Sequence, residues 1–203
     1  MPSILIATTN PGKLLEVRAL LQHLPVTLLA PGDVRIGLPP VEEVGQDYTE
    51  NAALKATALA RASGLWTLAD DSGLEVEVLG GAPGLHSARA AGPGRSDADR
   101  RQKLLAELAS HPRPWLARFR CAVVLSSPEG RTDAAAGECT GEIIAVERGL
   151  GGFGYDPIFL VTGTAQTMAE LSLQDKNRLS HRARAIRAIL ATLANRLGLT
   201  VKP

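Results

Sequence analysis

The sequence predicts an α/β protein with a mixed β-sheet flanked by helices, and three observations lead there. Short, nearly continuous apolar runs at residues 3–8 and 65–69 read as strands buried on both faces. Apolar residues also recur at helical spacing, at Val17, Leu20, Leu21 and Leu24 and again at Ile186, Ile189, Leu190, Leu193 and Leu197. Further β segments at about 131–140 and 142–146 are joined too closely for a parallel crossover, which needs about a dozen residues or more. Strands of both orientations therefore share the sheet. With 203 residues and no linker, repeat or low-complexity stretch, residues 1–203 read as one domain.

The first strand stops at Thr9-Asn10-Pro11-Gly12. Asn10 is a natural N-cap and Pro11 a natural first helical residue, so a helix should begin there. Residues 31–40, rich in Pro and Gly, read as a loop; the acidic pair Glu42-Glu43 follows, then a helix over about 49–63. The apolar run 65–69 leads straight into Asp70-Asp71-Ser72-Gly73. Residues 80–84 are turn chemistry, and a helix over about 99–109 carries Leu104, Leu105 and Leu108 on one face. Residues 116–126 alternate apolar side chains with Arg118 and Arg120, as a long strand does. Residues 155–159 read as a short strand, and a last helix covers about 180–197.

Composition narrows the function. Lys and Arg number 22 against 21 Asp and Glu, so no overall field draws the chain to nucleic acid or to an anionic membrane. Aromatic residues make up 3%, too few for platforms that track single-stranded nucleic acid. The N-terminus has no basic leader, and its apolar stretch is far shorter than a signal-peptide core or a membrane span. Cys121 and Cys139 have no metal-ligand spacing and are too few for a disulfide framework, which suits a reduced, cytoplasmic protein.

Four segments carry candidate chemistry. Thr8 to Lys13 lies between a buried strand and a helix start, where free backbone N–H groups and the Lys13 ammonium attract phosphate; an ordinary capped helix also accounts for it. Asp70-Asp71, placed at a strand end, repel each other unless a cation compensates. Oxygen donors point to Mg²⁺, with Glu42 or Glu43 able to complete the set, although a polar turn is the simpler use of the same residues. Gly149 to Gly154 spells G-x-G-x-x-G without the helix a dinucleotide site requires; it reads instead as a loop presenting Phe153 and Asp156. Lys176 and Ser180-His181-Arg182 place cations in a first helical turn, which the macrodipole disfavours unless an anion answers them; a solvated basic row is the plain alternative.

In this order, the motifs resemble the inosine-triphosphatase-like family of non-canonical purine nucleoside triphosphate pyrophosphatases (XTP/dITP diphosphatases). They are T-x-N-x-x-K at 8–13, E-N-A-x-x-K-A at 50–56, A-D-D-S-G-L at 69–74, L-G-G-A-P-G at 79–84, G-G-F-G-Y-D-P-I-F at 151–159 and S-H-R at 180–182. The resemblance implies an elongated mixed sheet flanked by helices, two lobes with a nucleotide cleft between them, and a homodimer. It implies hydrolysis of ITP, dITP and XTP to the monophosphate and pyrophosphate. Asn10, Lys13 and Lys55 would hold the triphosphate, within a loop of Thr8, Thr9, Asn10, Pro11, Gly12 and Lys13. Glu42 and Asp71 would engage Mg²⁺, Glu42 being preferred to Glu43 by its spacing to the next helix, and Asp71 would take a proton from the attacking water. Asp70 would support the metal or water shell. Phe153 would stack on the purine, with Ser72, Gly154, Tyr155, Asp156, Lys176, His181 and Arg182 lining the nucleotide pocket. His86 and Ala90 stand where the family pattern has tyrosines. Two other readings remain: a pyrophosphatase for modified pyrimidine nucleotides, and a nucleotide-binding domain without turnover.

Overall fold

The computed structural model describes residues 1–35 and 37–199. Ile36, which falls in the loop expected over 31–40, and residues 200–203 lie outside the described residues. The order is β1 (Ser3–Ile6), α1 (Pro11–Leu21), β2 (Thr27–Leu29), α2 (Tyr48–Ser63), β3 (Trp66–Val76), α3 (Asp97–Leu108), β4 (Trp115–Ser126), β5 (Thr132–Ile143), β6 (Phe159–Val161), α4 (Leu173–Leu179) and α5 (His181–Arg196). The strands form one six-stranded sheet in the order β2-β1-β3-β4-β5-β6. It is mixed, as expected: β1 runs parallel to β2 and β3, while β5 and β6 are antiparallel.

Local chemistry sets the helix starts. The Asn10 side chain accepts from the Lys13 backbone N–H at 3.1 Å, which caps α1, and Asp47 does the same for Glu50 at 2.8 Å at the head of α2. Ser96 and Asp99 cap α3 reciprocally.

Three elements differ from expectation. β3 runs on to Val76, so Asp70 and Asp71 lie inside a strand rather than at its end, just past the point where its pairing with β1 stops at Leu68. The two expected segments at 131–140 and 142–146 are largely one strand, β5, because Gly141 and Glu142 stay in the ladder opposite Val161 and Leu160. Residues 156–158 form a 3₁₀ turn at Pro157, leaving only Phe159–Val161 as strand. β2 and α4, with three and seven residues, are too short for periodicity to reveal.

The chain divides into two compact units. The first comprises Met1–Asp71, Cys121–Gly137 and the segment from Arg182 on; the second comprises Ser72–Arg120 and Glu138–His181. The first unit holds two apolar clusters, one of which includes Ile4, Leu21, Leu125 and Ile186 and the other Leu5, Ala52, Ala56 and Val124. The second has its own, including Leu74, Leu108, Trp115, Phe159 and Met168. Among the described residues no helix is long and apolar enough to cross a membrane.

Candidate active site

In the first unit the turn after β1 delivers the head of α1 toward β3. Thr8 Oγ1 accepts from the Asn10 N–H at 3.2 Å, which leaves Thr9, Asn10 and Pro11 exposed at the turn. Gly12 and Lys13 follow, and Lys13 Nζ reaches Asp70 Oδ2 at 2.9 Å. Arg182 Nε meets the same oxygen at 3.1 Å, and its Nη1 donates to Glu16 Oε2. Arg182 is 1% exposed. Burial alone would raise the Asp70 carboxyl, yet the Lys13 and Arg182 cations hold it well below the usual carboxylate range. The anion expected beside the basic turn of α5 is therefore the protein's own Asp70 and Glu16. Arg182, expected along the nucleotide pocket, thus has its guanidinium bonded to Asp70 and Glu16 within the first unit.

Successive strand residues face opposite sides, so Asp71 meets a different set of partners. Its Oδ2 accepts from Asn51 Nδ2 at 3.1 Å, and its Oδ1 lies 3.8 Å from Lys55 Nζ. Lys55 also donates to Glu43 Oε1 and to the Asp70 carbonyl, both at 2.7 Å. Burial raises the Asp71 carboxyl and the nearby Glu43 charge adds to that, against the opposing pull of Lys55. Burial would lower the Lys55 ammonium, but Asp70, Asp71 and Glu43 reverse the sign and raise it. Glu42 is exposed. The structure thus brings Glu43, not the Glu42 preferred from spacing, to the lysine and Asp71.

Asn51, which the sequence offers only as one letter of the 50–56 motif, joins these parts. Its Oδ1 accepts the Gly45 N–H at 2.8 Å while its Nδ2 holds Asp71, so one buried amide ties the loop that carries Glu43 to the strand that carries Asp71. A Cβ at Gly45 would sit 2.9 Å from the Asn51 backbone nitrogen and 2.8 Å from its side-chain oxygen, so this approach requires glycine. A cavity of about 470 Å³ opens beside the cluster, lined by Thr8, Thr9, Glu43 and Lys55 with an apolar wall that includes Leu38, Pro39 and Leu59.

A hard divalent cation suits this chemistry. Glu43 and Asp71 supply carboxylate oxygens at one lysine, and no cluster of three or more His, Cys, Asp or Glu forms among the described residues. Mg²⁺ characteristically takes one or two carboxylates and completes its shell with water and phosphate oxygens.

The second unit holds the other candidates. Lys176 Nζ bonds Asp156 Oδ2 at 2.5 Å and lies 4.9 Å from the centre of the Phe153 ring, near enough for a cation–π contact. Asp156 Oδ2 also accepts the Phe153 N–H at 2.9 Å. His181 stacks on Phe119, with ring centres 4.8 Å apart. Tyr155 turns inward: its hydroxyl donates to the Ser87 carbonyl at 3.0 Å, and burial pushes its pKa up to about 12. Its ring and hydroxyl thus anchor the loop to the segment that carries Ser87. Ser72 is half-buried on β3 directly after Asp71, and Gly154 closes the loop after Phe153. The predicted residues therefore gather into two groups: Thr8 to Lys13, Lys55 and Asp71 in the first unit, and Phe153, Asp156, Lys176 and His181 in the second.

The chain resembles known proteins in both sequence and fold. The Ham1 family pattern matches residues 4–192. A dITP/XTP pyrophosphatase of Geobacter sulfurreducens is 48% identical over 199 residues, covering 98% of each chain, and one of Gloeobacter violaceus is 47% identical over 94% of each. Among solved structures, a HAM1 protein from Coxiella burnetii superimposes with a TM-score of 0.86 at 38% identity, over 96% of this chain and 100% of that one. The Staphylococcus aureus Ham1 protein gives 0.83 at 39% identity, over 96% and 99%. By sequence along nearly its whole length, and by fold, the chain belongs to the Ham1 family.

Proposed function

We propose that this chain, acting as one functional domain, hydrolyses the non-canonical purine nucleotides ITP, dITP and XTP to the monophosphate and pyrophosphate, and so removes deaminated purines from the nucleotide pool. The observation that carries the reading is the Lys55 ammonium shared by Glu43 and Asp71, one strand residue away from the Lys13–Asp70 pair. The names of the relatives at 47–48% identity support it.

Phosphoryl chemistry of this kind depends on positioning and charge neutralisation more than on covalent help. Thr8 to Lys13 and Lys55 bind the triphosphate, the Lys13 and Lys55 ammonium groups supplying the positive charge. Asp71 and Glu43 would hold Mg²⁺, which when bound offsets phosphate charge. A water oxygen attacks the α-phosphorus, its proton passes to Asp71, and the bond from that phosphorus to the bridging oxygen breaks to release pyrophosphate. Burial raises the Asp71 carboxyl, the direction that makes a carboxylate a better proton acceptor, whereas Lys13 and Arg182 hold the Asp70 carboxyl low and keep it the ionised anchor of Lys13. The base stacks on Phe153, and Lys176 and His181 are donors suited to a 6-oxo acceptor. An adenine 6-amino group would leave such donors unpaired.

Product analysis tests the reading. dITP with enzyme and Mg²⁺ should give dIMP and pyrophosphate; orthophosphate, or no turnover, rejects it. Asp71→Asn should lower kcat by about 10²–10⁴-fold, the usual contribution of a positioned base, with folding intact by circular dichroism. Chelation should abolish turnover and Mg²⁺ should restore it. We further assign the protein to the cytoplasm as a homodimer, to be checked by fractionation and by light scattering.

A further inference from the structure

The loop that carries Phe153 is gripped by α3. The Gly154 N–H donates to Asp97 Oδ2 at 2.7 Å, and the Gly154 carbonyl accepts from Arg101 Nη1 at 2.8 Å. Asp97 and Arg101 are four residues apart on one helix and so share a face. Arg101 is itself fixed, since its Nε and Nη2 form a two-pronged bond to Glu147 at 2.8 and 2.9 Å. Ser96 and Asp99 cap the helix, and Asp97 gives its Oδ1 to Arg100, so its Oδ2 is the oxygen turned to the loop. On the other side of Phe153, its own N–H is taken by Asp156. The peptides before and after the ring-bearing residue are thus both bonded. Without that grip a glycine-rich loop, whose Gly154 has a φ of +61°, would leave the ring's plane undefined.

We propose that Asp97 and Arg101, braced by Glu147, are positioning residues that set the plane of the Phe153 ring against which the purine lies. The inference rests on the reading of Phe153 as the base platform and adds that the platform's aim is fixed from α3. Arg101 and Glu147 lie outside the apolar cluster of this unit, and Glu147 is exposed, so loss of the pair should loosen the loop and leave the core packed.

The test compares a ligand with a base to one without, in the full chain. Calorimetric affinities for inosine monophosphate and for inorganic pyrophosphate are measured for wild type, Arg101→Met, Phe153→Ala and the double variant. Arg101→Met should weaken inosine monophosphate by about tenfold, within the worth of base–aromatic stacking, with pyrophosphate affinity and Tm unchanged. The double variant should lose no more than Phe153→Ala alone, because Arg101 acts through Phe153. Equal loss of both ligands, additive losses in the double, or an unchanged Arg101→Met beside a weakened Phe153→Ala each overturns the clamp. An unchanged Phe153→Ala overturns the base platform itself, and the clamp with it. If Arg101→Met folds poorly, Glu147→Gln, which keeps the arginine but weakens its brace, should show the same selective loss in smaller measure; none in that variant overturns the proposal.

Discussion

Two adjacent aspartates do different work because of what faces them. Asp70 is surrounded by Lys13 and Arg182, and its carboxyl is depressed relative to an unfolded chain. Its contribution to stability is therefore complete at neutral pH and is lost as pH falls below the unfolded carboxylate range toward the folded value. Asp70→Asn takes a carboxylate from the buried Arg182, leaving it Glu16, and from the half-buried Lys13; it should cost about 3 kcal/mol at pH 7 by urea unfolding, a gap that narrows as acid protonates the wild-type group. Cys121 lies 4.0 Å from the same carboxylate oxygen, and burial beside that charge pushes its thiol up to about 12. Native protein at pH 8 should resist iodoacetamide at Cys121, and mass spectrometry should find it alkylated once guanidinium unfolds the chain. The motif residues Lys13, Lys55, Asp70 and Asp71 were legible in the sequence as a charged set. Their pairing was not, since it follows from strand alternation at a position that read as a strand end. Glu42 was preferred to Glu43 for a related reason: spacing along a loop does not say which of two neighbouring carboxylates turns toward Lys55.

Among the elements, the capped helix after β1 and the stripe on α5 were readable because Asn10-Pro11 and the apolar period are local signals. The extent of β3 and β5 was not, because polar residues and Gly141 interrupt the pattern that pairing with neighbouring strands sustains. The loop before α2 is held by contact rather than by its own propensity. Gly45→Ala would press a methyl group into Asn51 and Glu50, and should destabilise the fold by about 1–3 kcal/mol in thermal melts. Turnover should fall by more than the fraction unfolded accounts for, because Glu43 and Asp71 lose their shared brace.

For the molecule as a whole, each unit has its own apolar core, a division that composition and length did not announce. β3, β4 and β5 nonetheless run without a break from one unit into the other. Each unit also holds one tryptophan, Trp66 in the first and Trp115 in the second. Fluorescence melts of Trp66→Phe and Trp115→Phe should therefore coincide once corrected for each variant's own stability, as expected when neither half can dissolve its strands alone. The alternation in β3 has a longer reach. Gaining or losing a single codon between Trp66 and Asp70 would hand each acid the other's partners, offering the phosphate lysine a carboxylate from the wrong side of the sheet. Sequences descending from this one are thus free to drift in side-chain identity along that strand but not in its count, and its length should be the least variable spacing in the lineage.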